Sequence, residues 1–391
     1  MRRARASLLL VLGSALLAPA ANAAQPTAPL SLLRQARTEL RTTSGSGASA
    51  YRKLGAATAR ALWVSPSDAV APPAGRAVFA NSRIALLDLE PQLDSSAPPA
   101  IATVAGRLIL LADRRLAEDA IREAVNGAGG LVARARGMVL SGDRWAATSR
   151  VDLAAEQYGR AWADAFDGLT PLAVTPAENV PATVLATAAD NALAANRISF
   201  STVRPIQNQP PLTKFGVPEV LLAAADGCAA CELESWSLVE ALSQFGVFSN
   251  LALSQSAVTR HPIVRGITFR GADYQSPYVS FGIAAASSSV PRPLPFVDVA
   301  NKYADTGSPA SPSIAGGLFW TKLAGSLSRP KTADGQAIDG TAELLTAEIC
   351  EATDEAPAEV CGTAAVQGYQ KRLPPASPVS QLTVTVTPAS R

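Results

Sequence analysis

A C-x-x-C motif between two patterned segments constrains the fold of this chain more than any other feature. Cys228 and Cys231 follow the apolar run "PEVLLAAA" at 218–225, which has the length of a strand. A stripe of apolar residues at helical spacing comes next and stops at Gly246. A short apolar run of this kind is typical of a strand buried on both faces, and glycine is common just after a helix. The sequence therefore predicts a strand-to-helix turn at the motif.

This position suits thiol chemistry. Free backbone N–H groups and the helix dipole stabilise a thiolate on Cys228, and the two-residue spacer lets Cys231 close a small reducible ring. A strand, a tight turn and C-x-x-C at the start of a helix form the thioredoxin arrangement, in which a proline faces the cysteine pair. Pro295, in "LPFVD", occupies the place of that proline, and we hypothesise a cis bond before it.

The same region resembles a family, the uncharacterised family labelled domain of unknown function 929. "ADYQSPYVSF", "PFVDVANKY" and the two-cysteine segment near the C-terminus are similar to the family, so the resemblance covers about residues 218–362. It implies a thioredoxin-like fold and supplies no substrate, because the family has no settled activity. Within "CAACELESWSLVEALSQFGVFSNL", the matching residues after the motif are Glu234, Trp236, Phe245, Gly246 and Phe248.

The chain departs from this pattern at the motif itself. Family members carry an aromatic residue before the first cysteine and Pro-Tyr between the two, where this chain has Gly227 and Ala229-Ala230. The acid that thioredoxins bury six positions before the first cysteine is replaced by Leu222. Glu232 or Glu234 could accept a proton in its place only by pointing inward, and we expect both on a solvated helix face.

The first residues predict export. Arg2, Arg3 and Arg5 precede an apolar stretch from Ser7 to Ala20, and the small residues 21–23 form a cleavage box, so we expect a signal peptide over 1–23. The apolar stretch is about 14 residues long, which is too short to span a bilayer. No later stretch has the pattern of a membrane span. The mature chain is therefore expected to be extracytoplasmic, either secreted or in the cell envelope.

The count of cysteine and histidine residues narrows the chemistry. Four cysteines are an even number, which favours disulfides in an oxidising compartment. His261 is the single histidine, and we expect it in an exposed loop. A Ser-His-Asp triad would depend on His261 alone, and a zinc site could take at most one histidine ligand. We expect no metal and no cofactor. Aromatic residues are 5% and no basic patch is present, which argues against nucleic-acid binding.

The second cysteine pair is expected to be structural. Cys350 and Cys361 enclose ten residues, and a disulfide between them would tie a C-terminal helix to the following turn. The chain-entropy relation gives such a loop about 2.5–3 kcal/mol of stabilisation. A relay pair that exchanges disulfides with the first site is the alternative.

The patterning divides the chain into an α-helical and an α/β part. Residues 24–200 are rich in alanine and leucine at helical spacing, with Tyr158, Trp162 and Phe166 on one aromatic face. Strand patterns begin after a proline-rich stretch, which gives an α/β, thioredoxin-like domain over 201–373. We expect a flexible tail over 374–391.

Two functional classes fit these observations. In the first, the protein is an exported thiol–disulfide oxidoreductase, with Cys228 as the attacking thiolate, Cys231 as the resolving cysteine and Pro295 shaping the substrate groove. Its partners would be protein thiols or a redox partner protein. In the second, it is a non-catalytic binding or envelope protein in which Cys228–Cys231 is a structural disulfide. The sequence leaves the choice, and the oligomeric state, open.

Overall fold

The computed structural model of the protein describes residues 28–59, 62–63, 74–125, 129–225, 227–257, 262–284 and 291–375. The expected signal peptide over 1–23, His261 and the expected tail from residue 376 on lie outside the described residues. Within the described ranges, none of the helices combines the length and the apolar character that crossing a membrane requires.

The chain divides into two compact units. Unit 1 comprises the residues up to Val174 together with Leu253–Ile263 and Phe319–Lys322. Unit 2 comprises Thr175–Ala252, Val264–Leu318 and the residues from Leu323 on. The sequence assigns the segment around residues 182–194 to the helical N-terminal domain, whereas in the structure this segment is part of unit 2.

The first part of the chain is helical, as its alanine- and leucine-rich pattern predicts. The expected aromatic face is buried, and the rings of Trp162 and Phe166 have their centroids 4.6 Å apart, with Tyr158 also inside. Large apolar side chains at helical spacing therefore form the core of unit 1. The helices are Pro29–Glu39 (α1), Ser46–Ala57 (α2), Ala74–Leu93 (α3), Ala100–Ala124 (α4), Gly129–Ala147 (α5) and Val151–Glu178 (α6).

The second part of the chain combines strands and helices, which fits the predicted α/β class. The strands are Val203–Pro205 (β1), Thr213–Lys214 (β2), Val217–Ala223 (β3), Val247–Ser249 (β4), Ala252–Gln255 (β5), Arg265–Thr268 (β6), Asp273–Gln275 (β7), Ser280–Ala284 (β8), Phe296–Val299 (β9) and Tyr303–Thr306 (β10). The helices are Ala182–Ala194 (α7), Ala229–Ser243 (α8), Trp320–Ser326 (α9), Ala333–Ala352 (α10), Ala358–Cys361 (α11) and Ala364–Gln370 (α12).

A mixed sheet forms the centre of unit 2. Its order is β8-β3-β9-β10-β1, and the start of β3 also pairs with β2. Strands β3 and β8 are parallel, whereas β9 is antiparallel to both β3 and β10. Because parallel neighbours need a crossover connection, the chain leaves β3 through α8 before it returns as β8. The cysteine motif lies at the start of this crossover.

Helix α8 is buried on every side, and hydrogen bonds fix it to its neighbours. The indole Nε1 of Trp236 donates to the carbonyl of Arg265 in β6 at 2.8 Å, and the hydroxyl of Ser235 accepts from the N–H of Ile267 at 2.8 Å. The hydroxyl of Ser237 donates to the carbonyl of Ile338 in α10 at 2.9 Å. These bonds hold α8 rigidly between β6 and α10.

Two elements that the sequence predicts as single pieces are divided in the structure. The run "PLPFVDVANKY" (293–303), predicted as one strand, contains β9 and only the first residue of β10, because Ala300 and Asn301 adopt positive φ and turn the chain. The N–H of Asn301 donates to Oδ1 of Asp298 at 2.7 Å and stabilises this turn. The segment 313–328, predicted as one helix, contains most of a 3₁₀ turn at Pro312–Ala315 followed by α9, because Gly317 has φ +77°.

A pair of carboxyl groups lies between α8 and α10. Glu240 and Asp339 are fully buried, and their carboxyl groups interact with each other. Burial raises the pKa of Asp339 to about 8, and burial together with the Asp339 charge raises that of Glu240. Because a neutral acid costs far less to bury than a carboxylate, we interpret this contact as one in which the two groups share a proton.

The Glu240–Asp339 contact predicts that stability falls with pH. Both groups hold protons in the folded state above pH 4.5 that the unfolded chain releases, so the free energy of unfolding falls as pH rises from there through pH 8. The variant Glu240→Gln should flatten this slope by up to about 1.4 kcal/mol per pH unit. Urea unfolding between pH 5 and 8 measures it.

The matched control is Glu359→Gln, which changes an exposed acid. Its slope should equal that of the wild type. Parallel pH curves for the wild type and Glu240→Gln would contradict the shared-proton account.

Candidate functional site around the Cys228–Cys231 disulfide

The cysteine pair lies where β3 passes into α8. Cys228 is the N-cap residue of α8 and forms a disulfide with Cys231, with the two Cα atoms 5.2 Å apart. Gly227 precedes the pair with φ +76°, a conformation that glycine adopts at little cost. The N–H of Cys231 points at Sγ of Cys228 across 3.1 Å. A thiolate on Cys228 would therefore meet a helix N-terminus, the environment that lowers a thiol pKa.

The segment before β9 faces the disulfide from the other side. The carbonyl oxygen of Leu294 lies 3.8 Å from Sγ of Cys228, and the Leu294–Pro295 peptide bond is cis, the state that the sequence hypothesis names. Pro295 is buried, and its carbonyl accepts from the N–H of Gly307 at 2.8 Å. The structure thus places Cys228, Cys231 and the Leu294–Pro295 segment together.

The two cysteine residues differ in exposure. Cys228 is half-buried, whereas Cys231 is only 8% exposed. Because thiolate attack on a disulfide requires access to the sulfur atom, an incoming thiolate is expected to reach Cys228 more readily than Cys231.

The expectation that Glu232 and Glu234 lie on a solvated helix face is wrong. Their side chains are 8% and 1% exposed, respectively. Glu232 packs directly against the backbone at Gly266 in β6, where a Cβ atom would overlap the Glu232 side chain. Glu234 faces Ser308 instead. The polar residues of α8 led to this expectation because they are typical of a solvent-exposed helix face. In the structure, β6, α10 and the Pro312–Ala315 turn cover the helix.

Glu234 belongs to a group of three buried acids that the sequence did not reveal. Asp305 in β10 and Glu348 in α10 are close enough to Glu234 for their charges to interact with it. Burial raises the pKa of Glu234 to about 8 and that of Asp305 to about 7, and burial also raises the pKa of Glu348. The three residues are distant in sequence and follow no local motif, so only the fold brings them together.

Leu222 is buried in β3 opposite Val297 of β9, which is where an apolar residue belongs in a central strand. Position 222 therefore supplies no carboxyl group to the cysteine pair. The acid nearest in sequence that lies on the helix face of Cys231 is Glu234, one turn further along α8.

The second disulfide joins Cys350 and Cys361, the pairing that the sequence predicts. Both cysteines are completely buried, and the bond links the end of α10 to α11. No solvent-borne thiol can reach these sulfur atoms in the folded protein. The structural role of the Cys350–Cys361 disulfide remains a prediction, and the burial of both cysteines favours it.

Among the residues that the structure describes, there is no group of three or more His, Cys, Asp or Glu side chains arranged to hold a metal ion.

A family model identifies the region that carries the motif. Residues 205–294 match the family described as Domain of unknown function (DUF929). This match supports the resemblance of the region to the DUF929 family. The match includes β3, the cysteine pair, α8 and β8, and it ends directly before Pro295, whereas the sequence resemblance was expected to reach residue 362. Searches of curated proteins and of solved structures found no match.

The difference in burial predicts selective reduction. A low concentration of dithiothreitol at neutral pH should open Cys228–Cys231 and leave Cys350–Cys361 intact, because thiolate attack requires access to sulfur. Alkylation followed by peptide mass spectrometry measures both bonds in one sample. In urea, the two bonds should open together. Labelling of Cys350 as fast as Cys228 without denaturant would contradict the placement of these cysteines.

Proposed function

We propose that the protein is an exported thiol–disulfide exchange protein that acts through Cys228 and Cys231. The observation that carries the proposal is the position of the Cys228 sulfur atom. It lies 3.1 Å from the N–H of Cys231 at the start of a buried helix and 3.8 Å from the carbonyl of Leu294. A sulfur in this position can leave as a stabilised thiolate and remains open to attack.

The order of elements supports a thioredoxin-like domain. A central strand (β3), C-x-x-C, a helix (α8), a parallel neighbouring strand (β8), a proline (Pro295) before an antiparallel strand (β9) and a late helix (α10) occur in this order. Strands β4–β7 are inserted between α8 and β8, and β10 and α9 lie between β9 and α10. A C-x-x-C motif in this strand–helix–strand context is the pattern of thioredoxin-like redox proteins. The DUF929 match covers the motif and adds no activity.

The proposed reaction is exchange through a mixed disulfide. A substrate thiolate attacks Sγ of Cys228, the Cys228–Cys231 bond breaks, and its electron pair passes to Sγ of Cys231. A second substrate thiolate then attacks the substrate sulfur of the mixed disulfide and expels Cys228 as a thiolate. The substrate loses two electrons and gains a disulfide, while the cysteine pair gains both electrons. The reverse sequence reduces a substrate disulfide.

The compartment fits this chemistry. Two disulfides in one chain are compatible with an extracellular location, and the basic and apolar start of the sequence supports export. Protein thiols in the same compartment would be the substrates. Reoxidation of the cysteine pair would need the disulfide of a redox partner protein.

A structural disulfide at Cys228–Cys231 is the second candidate. The small spacer Ala229-Ala230 and the absence of an acid at Leu222 favour it, because both differ from efficient thioredoxin-like sites. The fully buried helix α8 also favours it, since such a helix could be held in place by the disulfide alone.

Trapping tests the exchange proposal. In the variant Cys231→Ala, the resolving cysteine is missing, so mixed disulfides should accumulate on Cys228 in cells. Non-reducing electrophoresis followed by mass spectrometry detects them. The matched control is Cys361→Ala, which also frees one cysteine but leaves it buried, and it should trap nothing. Equal adduct levels in the two variants, or none in either, would contradict exchange at Cys228.

The reduction potential separates the two candidates. Equilibration of the purified mature protein with glutathione buffers should give Cys228–Cys231 a potential above about −300 mV, in the range of exchange proteins. A potential well below this value belongs to structural disulfides and would favour the second candidate.

A further inference from the structure

Strand β8 lies at an edge of the central sheet, and one side of it is uncovered. Among the residues that the structure describes, β8 pairs with β3 alone. All five of its residues, Ser280–Ala284, are half-buried or exposed, whereas β9 on the other side of β3 is mostly buried. The backbone groups of β8 that point away from β3 are therefore open to a further strand.

The sequence of β8 lacks the residues that keep a sheet edge from pairing. Natural edges are often protected by lysine or another charged residue, by proline, or by being very short. The residues "SFGIA" of β8 include no charge and no proline. The opposite edge of the sheet, β1, is three residues long and contains Arg204 and Pro205. Of the two edges, β8 is the one that needs a covering segment.

Apolar side chains mark one face of β8. Phe281 and Ile283 are paired with two buried residues of β3, and residues paired in this way point to the same face of a sheet. The ring of Phe281 belongs to an aromatic cluster and lies 4.9 Å from that of Phe269 between centroids. Ile283 is 52% exposed. An apolar side chain placed beside Ile283 would remove this surface from water.

A carboxylate lies over the opposite face of β8. The Glu219 side chain covers Gly282, where a Cβ atom would come within 2.6 Å of a carboxylate oxygen. Lys214 approaches the same carboxylate at 3.5 Å. A strand that adds to β8 should therefore carry apolar side chains on the face of Ile283 and polar ones on the face of Glu219.

A segment beyond the described residues has this alternation. Residues 382–387 read "LTVTVT", in which Leu382, Val384 and Val386 alternate with threonine. Such alternation is typical of a half-buried strand, and both valine and threonine favour strands. The segment also matches the length of β8. Two further segments outside the described residues, 64–73 and 285–290, show no alternation of this length.

The connection is long enough for the segment to reach β8 of its own chain. Helix α12 precedes it, and the ring of Tyr369 in α12 lies 5.5 Å from that of Phe200, just before β1. From β1 to β8 the sheet is four strand spacings wide, or about 19 Å. The chain between Pro375 and Leu382 can extend over about 24 Å.

We propose that residues 382–387 bind along β8 of the same chain as a further strand of the central sheet. Leu382, Val384 and Val386 lie on the face of Ile283, and the threonines lie on the face of Glu219. The segment thereby covers an edge at which a second molecule could otherwise pair. The flexible tail that the sequence predicts is then limited to the residues on either side of this strand. The proposal does not depend on exchange chemistry at Cys228.

Hydrogen exchange of the mature, full-length protein tests the proposal. The amides of 382–387 should exchange at least about 100-fold more slowly than in a free peptide of residues 376–391, because they bond to a neighbouring strand. Removal of residues 376–391 should accelerate exchange in β8 and leave exchange in β1 unchanged. Sedimentation of the same samples should show that the full-length protein is a monomer under these conditions.

Two adjacent substitutions separate the faces of the segment. Val384→Lys places a charge beside Ile283 and should abolish the protection of 382–387. Thr385→Lys adds the same charge on the face of Glu219, where a carboxylate receives it, so protection should persist. Both positions lie outside the core of unit 2 described above, and both variants should therefore fold.

Four outcomes would overturn the proposal. The first is fast exchange at 382–387 in the wild type, and the second is an equal loss of protection in the two lysine variants. The third is protection that appears only at concentrations at which the protein is a dimer, because the strand would then belong to a neighbouring molecule. The fourth is faster exchange in β1 instead of β8 after removal of residues 376–391.

Discussion

The junction of β3, α8 and the Leu294–Pro295 segment is the contact on which unit 2 depends. The cysteine disulfide closes the first turn of α8, and the carbonyl of Leu294 limits the space beside Cys228. From this point α8 runs between β6 and α10, held by Trp236, Ser235 and Ser237. A displacement at the junction would therefore shift a helix that has no solvated face to absorb the change, since packed interiors deform little.

Burial of α8 and α10 explains the unusual number of acids inside unit 2. Glu234, Glu240, Asp305, Asp339 and Glu348 lie between these helices and the sheet, where a carboxylate would be costly. Burial raises the pKa of these carboxyl groups, including both members of the Glu240–Asp339 and Asp305–Glu348 pairs. Unit 2 therefore accommodates these acids at low cost only while they are protonated.

Local patterns in the sequence were sufficient to predict many of the elements and both cysteine pairs. The apolar run before the motif, the stop at Gly246 and the helical stripes of the first 200 residues correspond to observed elements, because each depends on periodicity within a short window. Two cysteine pairs and the cis bond at Pro295 also agree with the sequence hypotheses.

The burial of these acidic side chains could not be predicted from local patterns in the same way. The sequence placed Glu232 and Glu234 in solvent because charged residues are seldom buried, and it gave no sign that Asp305 and Glu348 approach them. Their proximity results from the pairing of β9 with β10 and from the packing of α10 on α8, which join residues about 70 to 110 positions apart along the chain. Short turns at Asn301 and Gly317 likewise divided elements that apolar patterns alone join.

The pKa of the Cys228 thiol tests the central claim most directly. In the reduced protein, thiolate absorbance at the ultraviolet edge, compared with that of Cys228→Ala, isolates this one group. The account predicts a pKa well below the value of about 8.5 for a free cysteine, because the N-terminus of α8 and the N–H of Cys231 stabilise the thiolate. A pKa at or above 8.5 would contradict exchange chemistry at Cys228 and leave the disulfide with a structural role.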